Sequence, residues 1–385
     1  MLKPLDTKER IKAVDVLRGF SLIGILIVNI LAFIVPMPHV SNISAWFTNI
    51  KDIMLYQYIE IYVQSSFYPL FAMLFGFGFA IQFQRAMDNA YPFYKFGVKR
   101  IVVLFIIGLL HAFLLWWGDI LVTYAFCATF VLMLIRLHPA VILLIAVILN
   151  AFMHSYYLLA YSTYGVLNEL IPESVYDVQA INDTVNAYTR GSYADAFSQR
   201  LIDLSIQLNS FTLFISLLTI LPYMLVGVVL SKWGILQKIK HHRTLFLVLS
   251  FILMGVGIFI KNAPFVYGET YLLSYMQVYI GGPILAIGYI FIVTWLCTFK
   301  WTEKVLQPFE QMGRMSLSLY IMQTVILTTL FYHYGFGLYG KIDIATSLYV
   351  VAAIIVFQML LAYLWLLKWK QGPLELLMKK IIYKK

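Results

Sequence analysis

The chain has 385 residues and a formal net charge of +10, and 62% of its residues are hydrophobic whereas only 12% are charged. A water-soluble globular protein would carry about 25% charged residues and could not hide so much apolar surface. This composition excludes a disordered chain, a disulfide-stabilised secreted module and a nucleic-acid-binding domain as the main interpretation, and it indicates a polytopic membrane protein.

Ten apolar stretches are candidates for membrane-spanning helices, since a span needs about 20 apolar residues. The predicted fold is therefore all-α, with residues 1–385 forming a single transmembrane domain of about ten helices. The runs are solidly apolar rather than alternating, which argues against a β-barrel. The predicted spans are 14–35, 65–84, 101–117, 120–136, 139–160, 208–231, 244–260, 271–297, 315–337 and 344–367.

Two extracytoplasmic loops are predicted between these spans. Residues 36–64 include an aromatic-rich segment with charged side chains, which is typical of a helix lying at the membrane interface. Residues 161–207 are acidic, and the spacing over Tyr193–Gln207 predicts a helix within them. We interpret this second loop as a solvated cap, with a lid or an acceptor-binding surface as the functional alternative.

The Lys and Arg residues predict the topology. If both termini are cytoplasmic, most of the 28 basic residues lie on cytoplasmic flanks and most of the 18 acidic residues lie outside. We therefore predict an N-in, C-in protein with an even number of spans, eight and twelve being the competing numbers. The first apolar run is too long for a cleavable signal peptide and is expected to remain as a span.

Polar side chains inside the first predicted span indicate a candidate site, because ionisable groups are costly in a membrane. Asp15, Arg18 and Asn29 lie on one stripe, with Arg18 and Asn29 about 16 Å apart along the helix axis. One interpretation is an Asp15–Arg18 pair at the cytoplasmic end and an interhelical hydrogen bond from Asn29. The other is a site reached from the cytoplasm, in which Arg18 binds an anionic ligand.

A histidine lies deep in the third predicted span. His111 is followed by a tight turn at Gly118 and Asp119, so Asp119 or the backbone could fix the imidazole tautomer. We favour a general base or proton relay over a purely structural hydrogen bond, because histidine is the ordinary base that works near neutral pH. His39, after the first span, is the weaker candidate.

Arg314 lies at the cytoplasmic end of the ninth predicted span, which contains a polar stripe of Ser316, Tyr320 and Gln323. Such stripes often only hold helices together. Combined with Arg18, however, Arg314 could form a two-arginine clamp for a phosphate or a carboxylate. No metal-ligand cluster and no phosphate-binding loop is visible in the sequence, so we expect no metal.

Five stretches carry a resemblance to a known family: DVLRGFSLIGILIVNI, FYPLFAMLFGFGFAIQFQRA, GLLHAFLLWWGDILVTY, GRMSLSLYIMQT and QGPLELLMK. Together they resemble the YeiB family of bacterial inner-membrane proteins, and they are distributed from one end of the chain to the other. The first motif, D-x-x-R-G followed by a helix that ends in Asn, is also similar to the lysosomal heparan-α-glucosaminide N-acetyltransferase. Both are grouped with the transmembrane acyltransferases.

The resemblance implies acyl transfer from cytoplasmic acyl-CoA, with acetyl-CoA as the expected donor, to a hydroxyl or amine acceptor at the outer face of the bacterial inner membrane. The shared first-helix motif falls on Asp15, Arg18, Gly19 and Asn29, and the third-helix motif falls on His111, Gly118 and Asp119. The tail motif falls on Gly372, Pro373 and Glu375 and implies no role.

In this interpretation His111, held by Asp119, is the general base, and His39 is the alternative. Asn29 donates a hydrogen bond to the oxyanion. The phosphates of acyl-CoA are bound by three arginines: Arg18, Arg314 and Arg100.

Two rival interpretations remain open at this stage. The same Arg18, His111 and Asp119 could form the substrate site and proton relay of a transporter for small solutes or organic anions. The chain could also be a membrane scaffold whose acidic 161–207 segment is the partner surface. The expected partners are membrane lipids and an unidentified acceptor, a homodimer is possible, and no nucleic acid is expected.

Overall fold

The computed structural model describes residues 11–40, 43, 46–89, 91–171 and 177–383. The predicted all-α fold is confirmed: the described residues form eighteen α-helices, no strand, and one isolated bridge between Leu170 and Thr270. The first nine helices are α1 (Lys12–Asn29), α2 (Leu31–Ile34), α3 (Ile50–Tyr62), α4 (Phe67–Asp88), α5 (Phe93–Leu114), α6 (Leu121–Leu134), α7 (Pro139–Thr163), α8 (Val178–Thr189) and α9 (Tyr193–Gln207).

The other nine helices are α10 (Ser210–Lys232), α11 (Ile235–Lys238), α12 (Arg243–Tyr267), α13 (Tyr271–Met276), α14 (Gly282–Leu296), α15 (Glu303–Gly313), α16 (Ser316–Phe331), α17 (Ile344–Lys368) and α18 (Pro373–Tyr383). A π-helical turn at Gln277–Gly281 joins α13 to α14.

The apolar helices confirm a polytopic membrane protein. Within the described residues, eight helical segments are long and apolar enough to cross a membrane, and α15 with α16 qualifies as a ninth only as a pair bent by 75°. The apolar helix α6 has 14 residues, which is short for a span. The number of ten spans and the N-in, C-in orientation stay predictions.

The two predicted loops contain helices. Helix α9 has the bounds that the spacing over Tyr193–Gln207 predicts, and with α8 it forms what we call the cap. The aromatic-rich segment of the 36–64 loop contains α3, which continues through a turn at Ser65 into α4. Residues 41, 42, 44 and 45 of that loop lie outside the described residues.

Glycines allow two pairs of helices to pack backbone against backbone. A Cβ atom at Gly76 of α4 would lie 1.9 Å from the carbonyl oxygen of Met224, and one at Gly227 of α10 would lie 1.9 Å from that of Met73. No real side chain tolerates such distances, so α4 and α10 approach reciprocally over bare glycines.

Helices α1 and α15 repeat this arrangement at the basic end of the bundle, the end where Arg18 and Arg314 lie. A Cβ atom at Gly19 would lie 2.0 Å from the carbonyl oxygen of Phe309, and one at Gly313 would lie 1.7 Å from that of Asp15. This contact brings Asp15 and Arg18 of α1 beside the sharp bend between α15 and α16.

We predict that Gly227→Ala destabilises the protein, whereas Gly255→Ala does not. The methyl group at position 227 overlaps the α4 backbone, and overpacking of this kind costs about 1–3 kcal/mol. A Cβ at Gly255 meets open space, so the same substitution there only improves helix propensity. Apparent Tm of the detergent-solubilised protein at a fixed scan rate measures the difference, and equal Tm values would contradict the packing argument.

Candidate active site

A buried histidine is held between a carboxylate and a hydroxyl. His111 Nδ1 lies 2.7 Å from Asp119 Oδ2, and His111 Nε2 lies 2.9 Å from Thr324 Oγ1. The three residues are 2%, 1% and 3% exposed, respectively. Because an ionised carboxylate only accepts, Nδ1–H donates to Asp119, and Nε2 is left to accept the hydroxyl hydrogen of Thr324.

The turn after α5 positions the carboxylate. Asp119 Oδ1 accepts a hydrogen bond of 2.8 Å from the backbone N–H of Val122, which fixes the second carboxylate oxygen at the start of α6. A Cβ at Gly108 would lie 2.8 Å from Val122 N, so this glycine lets α6 approach α5 closely. Gln207 of the cap donates a hydrogen bond of 2.9 Å to the Asp119 carbonyl and fastens the turn from outside.

Thr324 was not among the site residues predicted from the sequence. Ser316, Tyr320 and Gln323 were the candidates on this helix, but residues spaced by four lie on one face of a helix. Ser316, Tyr320 and Thr324 are spaced by four and share one face of α16. The Tyr320 ring centroid is 5.2 Å from that of His111. Gln323 instead donates a hydrogen bond to Gln358 of α17, at 2.9 Å, and so holds helices together.

A cavity of about 270 Å³ opens at the basic end of the bundle. Its lining also contains many apolar residues and reaches Ile120, Leu121, Tyr124 and Tyr320. The charged residues of its lining are Arg18, Arg85, Arg100, Arg314 and Lys379 against Asp15 and Glu375. The three arginines that the sequence analysis assigned to an anionic ligand thus lie around one cavity, although their binding role stays a prediction.

The arginines are held in different ways. Arg18 Nη1 lies 3.6 Å from Asp15 Oδ1, and the missing side chain of Gly78 leaves room for its guanidinium. Arg100 donates a hydrogen bond of 2.5 Å to the neutral side chain of Gln82, and its guanidinium carbon lies 4.4 Å from the centroid of the Phe79 ring. Within the described part of the chain, no carboxylate lies at ion-pair distance from Arg100, so its charge is available to an anion.

The C-terminal helix α18 completes the cavity wall and explains the tail motif. Glu375 accepts hydrogen bonds from the backbone N–H groups of Leu317 (2.7 Å) and Ser318 (3.2 Å) and from the Ser318 hydroxyl (2.5 Å), and so caps α16 after the bend. A Cβ at Gly372 would lie 2.6 Å from Ser318 Oγ, so only glycine fits beside this cap. Burial raises the pKa of the Glu375 carboxyl above its ordinary value.

The structure does not place all the predicted site residues in this cavity. Tyr320 lines the cavity, whereas His111 is packed behind it and is absent from the described lining. Asn29, the last residue of α1, is half-buried and does not line the cavity either. This cavity therefore does not join His111 to Asn29, and the oxyanion role of Asn29 stays a prediction.

His39 belongs to a separate network. Its Nε2 lies 3.2 Å from Asp203 of the cap, and Asp203 also accepts hydrogen bonds from Tyr188 (2.6 Å) and Gln199 (2.9 Å). Burial raises the pKa of Asp203. The two candidate histidines are thus held by different carboxylates, and His39 fastens the cap to the segment after α2.

The cap also contacts the end of α5. Arg200 is fully buried and donates a hydrogen bond of 2.7 Å to the carbonyl oxygen of Phe113. Tyr193 donates one of 3.3 Å to the neighbouring carbonyl of Leu114. A cation at the C-terminal end of a helix is favourable, so these contacts stabilise the helix end that carries His111. Within the described ranges, no group of three potential metal ligands is found.

Comparisons with known proteins give one family match to the C-terminal part of the chain and relatives that match nearly all of it. Residues 230–385 match the family described as "Protein of unknown function (DUF418)". The chain is 29% identical to the uncharacterized protein YxaH of Bacillus subtilis (strain 168), over 99% of this chain and 96% of the relative. It is 27% identical to the uncharacterized protein YeiB of Escherichia coli (strain K12), over 97% and 96%, respectively. No solved structure matches significantly.

We predict that Glu375→Ala and Glu375→Gln differ in stability. Alanine leaves the N–H groups of Leu317 and Ser318 without their acceptor and costs about 0.5–2 kcal/mol, whereas glutamine keeps an acceptor.

Because the pKa of Glu375 is raised in the folded protein, its protonation contributes stability at low pH that is lost as the pH rises through the raised pKa. Glu375→Gln should therefore weaken the fall of apparent Tm above the ordinary glutamate pKa. A pH dependence identical to that of the unsubstituted protein would contradict this.

Proposed function

We propose that this chain, a member of the YeiB family of multi-pass membrane proteins, is an acyltransferase. It moves an acyl group from cytoplasmic acyl-CoA to a hydroxyl or amine acceptor at the outer face of the membrane. One observation carries the proposal: a cavity lined by more cations than carboxylates reaches Tyr320, and the Tyr320 ring packs on His111 of the His111–Asp119 pair. Localisation in the bacterial inner membrane is part of the same proposal.

The lining of the cavity has the positive charge that binding of acyl-CoA requires. CoA carries several phosphate charges, and arginine binds phosphate through short charge-assisted hydrogen bonds. Arg18, Arg100 and Arg314 lie around the cavity, and among the described residues the side-chain contacts of Arg100 are a neutral amide and aromatic rings. The apolar residues of the lining suit the pantetheine arm and a short acyl chain such as acetyl.

The buried pair supplies the proton chemistry. His111 Nε2 takes the proton of the attacking hydroxyl or amine while that atom bonds to the thioester carbonyl carbon. The carbon–sulfur bond then breaks, and the same proton passes from Nε2 to the leaving thiolate, so that CoA leaves as a thiol. Asp119 holds the Nδ1–H tautomer and stabilises the imidazolium that forms in between. A rotation of Tyr320 would open the cavity to His111.

A second candidate function is transport of an organic anion. The observation that favours it is the 75° bend between α15 and α16, because transporters build substrate sites at broken helices and Arg314 lies at this bend. Counterflow of a labelled anion in proteoliposomes, without CoA binding or thioester cleavage, would favour transport over acyl transfer.

We predict that Arg100→Gln weakens CoA binding by about 10-fold or more, as expected for the loss of a hydrogen bond to a charged group. Arg136→Gln is the matched control, because Arg136 is an exposed arginine that stacks on Tyr94 outside the cavity. Isothermal titration of the purified protein with CoA measures both variants. Equal weakening by both substitutions would indicate a general effect of charge rather than a site.

We predict that His111→Gln lowers acyl-CoA turnover by about 10²–10⁴-fold, the usual contribution of general base catalysis. CoA affinity should stay within a few-fold, because His111 does not line the cavity that holds the arginines. His154→Gln is the control, since His154 contacts Tyr275 away from this site. Unchanged turnover in a folded His111→Gln protein would remove His111 from the mechanism.

A further inference from the structure

We propose that Thr324 is a catalytic nucleophile that carries the acyl group as a covalent threonine ester between donor and acceptor. The inference rests on the proposed acyltransferase function and deepens it, because it makes the reaction a double displacement with an acyl-enzyme intermediate. The carrying observation is a continuous chain of two short contacts: Thr324 hydroxyl to His111 Nε2, and His111 Nδ1 to Asp119.

The geometry is that of an activated hydroxyl. The distances of 2.9 Å and 2.7 Å are ordinary hydrogen bonds, and the shared imidazole is oriented so that its basic nitrogen faces the threonine oxygen. A hydroxyl, a histidine base and a carboxylate that orients the base form the same arrangement on unrelated protein folds. Here the three groups come from α16, α5 and the turn after α5.

The position of Thr324 fits a residue that receives an acyl group from the cavity. Thr324 lies one helical turn after Tyr320, on the same face of α16, and Tyr320 lines the cavity while packing on the His111 ring. Among the described residues, the buried Tyr320 hydroxyl has no hydrogen-bond partner of ordinary geometry. The hydroxyl lies near the backbone of Ile120, and a rotation away from it would let it donate to the negative oxygen formed during attack.

The environment also suits a covalent intermediate. All three side chains are almost completely buried, so a threonine ester formed there is shielded from hydrolysis by water. Beyond them, the end of α5 is covered by the cap, through hydrogen bonds from Arg200 and Gln207. An ester at Thr324 therefore lies between the donor cavity and the opposite end of the bundle, and the two substrates need not occupy the protein together.

The first half-reaction forms the ester. His111 Nε2 takes the Thr324 hydroxyl proton while Oγ1 bonds to the thioester carbonyl carbon of acyl-CoA. The carbon–sulfur bond breaks, and the proton passes from Nε2 to the thiolate, which leaves as CoA thiol. The imidazole is again neutral, and Thr324 carries the acyl group.

The second half-reaction returns the threonine. His111 Nε2 takes a proton from the acceptor hydroxyl or amine while that atom bonds to the ester carbonyl carbon. The bond from this carbon to Thr324 Oγ1 breaks, and the oxygen recovers the proton from Nε2. No oxidant, metal or further reactant is consumed in either half.

The test needs no knowledge of the acceptor. We expect the purified full-length protein to exchange labelled free CoA into acetyl-CoA in the absence of acceptor, because the first half-reaction is reversible. Incubation with labelled acetyl-CoA should also leave one acetyl group on the peptide that contains Thr324. A direct, single-step transfer predicts neither exchange nor a labelled peptide.

Three variants make the test specific. Thr324→Val, which keeps the shape but removes the hydroxyl, should abolish the label and lower exchange by on the order of 10³-fold or more. Thr324→Ser should retain exchange and move the label to serine. Thr329→Val is the control, because the Thr329 hydroxyl is exposed on the same helix and donates to the Val325 carbonyl 2.7 Å away.

The outcomes separate this inference from the proposed function. Acetyl-CoA turnover by the wild type without exchange, or full turnover by folded Thr324→Val, would overturn the covalent role and leave the acyltransferase standing. A label on another residue would do the same. A wild type that neither binds CoA nor cleaves the thioester would overturn both. If Thr324→Val does not fold, the serine variant and the wild-type peptide label still decide the matter.

Discussion

The contact between α1 and α15 is the constraint on which the candidate donor site depends. Gly19 and Gly313 lie against the backbone carbonyls of the opposite helix, at distances that exclude even a methyl group. Asp15 and Arg18 are therefore brought beside the end of α15, where Gly313 is followed by the bend and by Arg314. In the first-helix motif, the glycine after Arg18 thus has a packing role, and the arginine lies on the cavity that this packing forms.

A second constraint acts deeper in the bundle. A polar group within a membrane protein must find partners in the protein, since the surrounding lipid offers none. His111, Asp119 and Thr324 satisfy one another, and the remaining oxygen of Asp119 accepts the Val122 N–H. The network that avoids this cost also leaves one basic nitrogen directed at one hydroxyl. The same hydrogen bonds therefore stabilise the buried polar groups and orient the imidazole toward the Thr324 hydroxyl.

The sequence predicted the features that depend on local composition. The helical fold, most span positions, the α9 helix and the Asp119–His111 contact follow from apolar runs, short spacing and a tight turn. Thr324 is separated from His111 by 213 positions, and no local pattern brings them together. The role of Glu375 could not be predicted from the sequence either, because it caps α16 only where the chain bends between α15 and α16. The separation of His111 from the cavity by Tyr320 depends on side-chain packing, which residue spacing does not determine.

The composition of the cavity wall has a consequence for biosynthesis. The wall combines α1 with α18, whose residues are separated by more than 300 positions along the chain. A partly synthesised chain that has inserted its early helices therefore carries Arg18, Arg85 and Arg100 without the floor that Glu375 and Lys379 later provide. The cavity is complete only when α18 packs against α16, so it exists only after translation has passed the tail motif.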